Sequence, residues 1–155
     1  MKRTPHEGLI AVAGFFAAAA VILVRRFYGL LESLNMVVPL SLWAMAAIAG
    51  WLALVVRKRR KDGKVGLDRS QLNPMQAANF MVFGKASAWA GAVFGGLYGG
   101  TLSFVVTKIR VLEAAPGDVP PLVAGTLGGL ALCLAGIWLE KNCEVSPPNE
   151  GQGVS

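Results

Sequence analysis

The chain has 155 residues, of which 54% are hydrophobic and only 15% are charged, whereas a soluble domain usually has about 25% charged residues. The charges are segregated and leave long uncharged stretches, which argues against an ordinary soluble domain and predicts an integral membrane protein. Most of the net charge of +6 lies in one segment beside an apolar stretch, so we expect anionic lipid, and not nucleic acid, as its partner.

Two membrane-length apolar stretches lie in the first part of the chain. The first, 8–24, follows Thr4-Pro5-His6-Glu7, which is typical of a helix start with a Thr cap, an early Pro and an acidic first turn. Because Arg25 follows this stretch and no cleavage pattern leads into a polar domain, we predict an uncleaved anchor. The second, 37–56, has twenty residues, and a helix of that length spans about 30 Å of hydrocarbon.

Two further stretches lie in the second half of the chain. The third, 86–107, is preceded by Asn73-Pro74, a cap-and-proline pattern that predicts a helix beginning well before the membrane. The fourth is 119–139, and the tail 146–155 has no apolar face and is expected to be disordered. The predicted fold is an all-α bundle of four transmembrane helices in one domain, 1–145.

The distribution of basic residues predicts the orientation of the four spans. With four spans, the N-terminus, the connector 57–73 and the C-terminus share one side of the membrane. That side has eleven of the fifteen basic residues; the other has Arg25, Arg26, Lys108 and Arg110. Because Lys and Arg accumulate in short cytoplasmic loops, we predict a multi-pass plasma-membrane protein with both termini in the cytoplasm.

The densest basic segment is Arg57-Lys58-Arg59-Arg60-Lys61, directly after the second span. We predict that it begins a cytoplasmic basic loop, 57–73, and contacts anionic lipid headgroups, each basic residue near the surface contributing about 1 kcal/mol. A cytoplasmic protein partner is the alternative interpretation.

Glycines recur every four residues in the third span, at Gly91, Gly95 and Gly99, and again in the fourth span, at Gly125 and Gly129. This spacing puts them on one helix face and lets a second helix approach closely. We predict that the two spans pack on each other through these faces, with homo-oligomerisation or docking on a partner's helix as alternatives. A second ridge of small residues lies beside the first, at Gly84, Ala88, Ala92, Gly96 and Gly100.

Two charged residues lie near the same end of the third and fourth spans, Lys85 and Glu140. Since the inferred topology puts them at similar depth, we predict an ion pair that joins the two spans. A charge inside the bilayer is by default a functional hypothesis. The alternative is that Lys85 snorkels, so that its ammonium group reaches the lipid headgroups and forms no pair with Glu140.

Residues for catalysis are scarce. His6 is the only histidine and lies in a predicted first helical turn, and Cys133 and Cys143 are too far apart on a helix for a disulfide. This leaves no set of ligands for zinc or haem, and every carboxylate lies in a loop or at the end of a span. We therefore predict that the protein is not an enzyme and has no catalytic residue, cofactor or metal.

A small transporter or channel component is the main alternative. Such a protein needs a polar path between its spans. The candidate residues for the path are Lys85, Ser87, Thr101, Ser103 and Thr107.

Three segments together resemble a known family: 84–100, with GKASAWAGA followed by GGLYGG; 138–143, WLEKNC; and 26–29, RFYG. They are similar to an actinobacterial family of small four-span membrane proteins that has only a domain-of-unknown-function label. The resemblance covers roughly residues 5–148. It implies a plasma-membrane location but no activity or catalytic residue. From the glycine faces, the basic loop and the lack of a catalytic set, we predict a non-enzymatic membrane protein that packs with itself or as an accessory subunit of a larger membrane complex.

Overall fold

The computed structural model describes residues 5–27, 36–61, 74–108 and 115–143, and all of these residues except Pro5 and Met36 are helical. The helices are α1 (His6–Phe27), α2 (Val37–Lys61), α3 (Pro74–Lys108) and α4 (Ala115–Cys143). Each is long and apolar enough to cross a membrane. The protein is therefore an all-α, multi-pass membrane protein, as the sequence predicted.

Local sequence features mark the first turns of three helices. In α1 the carbonyl of Pro5 accepts a hydrogen bond from the amide of Leu9, at 3.3 Å, and Glu7 lies in the first turn, where the helix dipole favours a carboxylate. Helix α3 begins at Pro74, where its missing N–H costs no hydrogen bond. Helix α4 begins at Ala115 and contains Pro120 and Pro121 in its second turn, where each lacks the N–H that would bond to the carbonyl four residues earlier.

The basic segment differs from its prediction. It was expected to open a loop at residue 57, but α2 continues through Lys61. Lys and Arg are good helix formers, and their charges are favourable at the negative end of the helix dipole. The rest of the predicted connector, 62–73, and the predicted tail, 146–155, lie outside the described residues.

Helices that follow one another in the chain alternate in direction, so the contacts of α1 with α3 and of α2 with α4 are parallel. Gly8 lies against Trp89 and Ala13 against Gly96, so α1 runs parallel to α3. Buried clusters join Leu42 with Leu132 near the start of α2, and Val56 with Cys143 near its end, so α2 runs parallel to α4.

The α3–α4 pair forms the centre of the molecule. In the described part of the chain, α1 packs on α3, α2 packs mainly on α4, and α1 does not approach α2. The helices therefore form a row, α1–α3–α4–α2, in which each outer helix leaves most of its circumference uncovered. Exposed Phe15 and Ile22 on α1, and Leu40 and Trp51 on α2, lie on these uncovered faces.

Candidate functional site

The α3–α4 seam is the most extensive helix contact in the described part of the chain, and the two helices approach closely along it. A Cβ atom added at Gly129 would lie 2.5 Å from both the N and the Cα of Gly95. One added at Gly91 would lie 2.6 Å from the carbonyl oxygen of Gly129 and would also overlap the backbone of Cys133. The two backbones are thus in direct contact, a geometry that favours weak Cα–H···O contacts.

The other predicted packing glycines differ in how closely they are approached. A Cβ at Gly125 would lie 2.5 Å from the ring of Tyr98, so this glycine makes room for an aromatic side chain. A Cβ at Gly95 would lie 3.5 Å from the Gly129 backbone, and one at Gly99 3.5 Å from Thr126, which are ordinary contacts. Among the five predicted packing glycines, the closest backbone approach is therefore at Gly91 and Gly129.

The seam continues to a glycine that the sequence analysis missed. A Cβ at Gly136 would lie 2.5 Å from the amide nitrogen of Ala88 and 2.6 Å from the carbonyl oxygen of Gly84. Gly136 comes seven residues after Gly129, which puts it on the same face two turns later. That spacing was the available signal.

The second ridge of α3 is divided between two partners. Gly84 and Ala88 face α4, whereas Gly96 and Gly100 face α1, where an added Cβ would overlap the backbones of Ala13 and Ala17, respectively. In α1, Ala13 and Ala17 have the matching spacing of four, but they lie in an alanine-rich run whose other alanines are equally small. Helix α3 therefore packs through glycine on two sides.

The structure brings Lys85 and Glu140 together. The Nζ of Lys85 lies 3.8 Å from the Oε1 of Glu140; the Glu140 side chain is 7% exposed and that of Lys85 is 32% exposed. Glu140 follows Gly136 by one turn and so continues the seam. Since a buried carboxylate is unfavourable without a partner, this pair joins the ends of α3 and α4 electrostatically.

The hydroxyl groups of α3 are in two different environments. Those of Thr101, Ser103 and Thr107 donate to the carbonyls four residues earlier, at 2.9, 2.8 and 2.7 Å. Ser87 is only 2% exposed, and its Oγ has no hydrogen-bond partner in the structure as described. The candidate residues for a polar path therefore do not form one connected set.

The end of α2 carries the predicted lipid-contact residues. Arg57 and Lys58 are exposed in the last helical turns; the side chains of Arg59, Arg60 and Lys61 lie outside the described residues. In the part of the chain that the structure describes, no group of three or more His, Cys, Asp or Glu residues could hold a metal ion.

Comparison with known proteins gives one match. A family model described as "Protein of unknown function (DUF3180)" matches residues 9–147. No curated protein and no solved structure matches the chain. The family match confirms the resemblance to a domain-of-unknown-function family, while the actinobacterial source stays a prediction. The chain belongs to the DUF3180 family.

Proposed function

We propose that the protein is non-enzymatic and acts by packing its helices against other membrane helices, either those of a second copy or those of a larger complex. It has no catalytic residue and no cofactor in this proposal. Its four helices serve as a scaffold, and the function lies in the surfaces that they present within the bilayer.

The α3–α4 seam supports the scaffold role. Backbone contact at Gly91, Gly129 and Gly136 fills the space between the two central helices, so this seam has no room for a substrate. The Lys85–Glu140 pair lies at one end of the same seam. A pair of helices held in this way is suited to a structural role.

The open flank of α1 is the observation that carries the proposal. In the described residues, α3 is the one helix whose backbone comes close to that of α1. Gly14 lies on its exposed side, and a Cβ there would meet no atom within 4 Å. Glycine weakens a helix, and Gly14 has no packing partner among the residues that the structure describes; it would allow another helix to approach closely.

The proposal places the protein in the plasma membrane with both termini in the cytoplasm. Support comes from the eleven basic residues assigned to one side against four on the other. The alternating helix directions put the end of α2, the start of α3 and the end of α4 on that same side.

Affinity purification of the tagged full-length protein in a mild detergent tests the proposal. We expect a species heavier than the 16.3 kDa monomer, either a multiple of that mass or a defined complex. Gly14→Leu should reduce the associated fraction. Gly50→Leu on α2, where a Cβ also meets no atom within 4 Å, tests whether the open flank of α2 takes part; a loss in Gly14→Leu alone assigns the association to α1. A wild-type protein that migrates only as a monomer contradicts the proposal.

A transporter or channel component is the second candidate, because the buried Ser87 hydroxyl is the kind of group that could line a polar path. Thiol labelling of Ser87→Cys, in a chain with both native cysteines replaced, separates the two candidates. Labelling by a membrane-impermeant reagent supports a water-filled path, whereas complete protection supports the packing protein.

A further inference from the structure

One flank near the end of α2 combines exposed apolar and basic side chains. Trp51 is 68% exposed, Leu54 is 51% exposed, and Lys58 is also exposed. Their spacing of three and four residues puts them on one face over successive turns. Ala53 and Val56, which are buried against α4, lie on a different face of the helix. This flank therefore points away from the other described helices.

The spacing along the helix matches the boundary between hydrocarbon and headgroups. Lys58 follows Trp51 by seven residues, or about 10 Å along the axis. The apolar part of α2 ends at Val56, and an unbroken basic segment begins at Arg57. Lys58 therefore lies at the depth of lipid phosphates when α2 spans a membrane, while Trp51 and Leu54 lie at the depth of the upper acyl chains.

The charge around this flank selects the type of lipid. Lys58 lies within a run of five consecutive basic residues, and the only acidic residue directly adjoining that run is Asp62. The resulting positive potential attracts a lipid with a net negative headgroup more strongly than a zwitterionic one. The apolar half of the flank distinguishes a membrane lipid from a soluble anion, which has no acyl chain to place there.

We propose that this flank is a binding site for one acidic phospholipid. The Lys58 ammonium group binds the headgroup phosphate, and an acyl chain of the same lipid lies against Trp51 and Leu54. This goes beyond a general attraction of the basic segment to anionic membranes, since it assigns one face of one helix. It requires that α2 spans the bilayer and is independent of which side faces the cytoplasm.

Quenching of tryptophan fluorescence in vesicles tests the site. The full-length protein is reconstituted in phosphatidylcholine vesicles that contain a small fraction of one brominated lipid. This lipid is brominated phosphatidylglycerol in one preparation and brominated phosphatidylcholine, at the same fraction, in the other. The Trp51 signal is the difference between the wild type and Trp51→Phe. We expect brominated phosphatidylglycerol to occupy the site with about a fivefold preference, which Lys58→Gln largely removes. Lys108→Gln, at the opposite end of the molecule, is the matched control and should leave the preference unchanged.

Several results would overturn the proposal. An equal preference of the wild type for the two lipids excludes an acidic-lipid site, as does a preference that Lys58→Gln leaves intact. A loss that is just as large in Arg57→Gln shows general attraction to the basic segment, and not a site on this flank. Absence of quenching by both brominated lipids shows that another helix covers Trp51, which also rules the site out.

Discussion

Replacement of Gly129 by alanine should destabilise the protein through a single added methyl group. The added Cβ would lie 2.5 Å from the N and Cα of Gly95 and 3.1 Å from the carbonyl oxygen of Gly91. All of these atoms belong to backbone, so no side chain can move aside. Relief requires α3 and α4 to separate by roughly 1 Å, which also loosens the contacts on either side. We expect Gly129→Ala to lower the free energy of unfolding by about 2–3 kcal/mol.

Gly14→Ala and Gly50→Ala are the matched controls for this prediction. They make the same chemical change in helices α1 and α2, where an added Cβ meets no atom within 4 Å. We expect each to range from neutral to about 1 kcal/mol more stable, because alanine is the better helix former. The assay is reversible unfolding of the purified protein in mixed micelles, followed by tryptophan fluorescence. A Gly129→Ala variant no less stable than Gly14→Ala refutes the close α3–α4 contact.

Further substitutions test the other contacts, with stability measured in the same way. Lys85→Met should lower the free energy of unfolding by about 2 kcal/mol, which is below the usual range for a buried ion pair because the lysine is partly exposed. The double variant that exchanges the two charges, Lys85→Glu with Glu140→Lys, should recover much of this loss. Gly100→Ala should destabilise by about 1–3 kcal/mol by separating α1 from α3. Trp43→Phe should cost about 1 kcal/mol, since it removes the 3.1 Å hydrogen bond from its Nε1 to α4. If the charge reversal recovers nothing, Lys85 has no energetic coupling to Glu140.

The four helices were predictable because span length and composition are one-dimensional properties. Apolar runs of membrane length, and the Asn73-Pro74 helix start, are read directly along the chain. The helical state of Arg57–Lys61 was not predicted. A run of basic residues indicates topology strongly, but it gives little information about whether the backbone stays helical.

The packing partners of the small-residue ridges were only partly predictable. Spacing shows that Gly91 and Gly96 can each accept a close neighbour, but it does not say which helix arrives. The structure assigns Gly91 to α4 and Gly96 to α1, because the row places these two helices on different sides of α3. The burial of Ser87 likewise depends on that three-dimensional arrangement.

The position of α1 was the least predictable feature of the fold. Consecutive helices joined by a short connection are commonly expected to pack as a hairpin. Here α1 packs on α3, because the small residues Ala13 and Ala17 match Gly96 and Gly100 in spacing. This position of α1 makes the row, and the row leaves open the flanks on which the proposed function depends.

Disulfide formation within the membrane tests the row most directly. In a chain with Cys133 and Cys143 replaced, one cysteine pair is placed at Leu9 and Ala92, which share a buried cluster between α1 and α3. A second pair is placed at Ala18 and Leu40, on the exposed faces of α1 and α2. The row predicts an intrachain disulfide for the first pair and none for the second. Efficient intrachain crosslinking of α1 to α2, with none between α1 and α3, would contradict it.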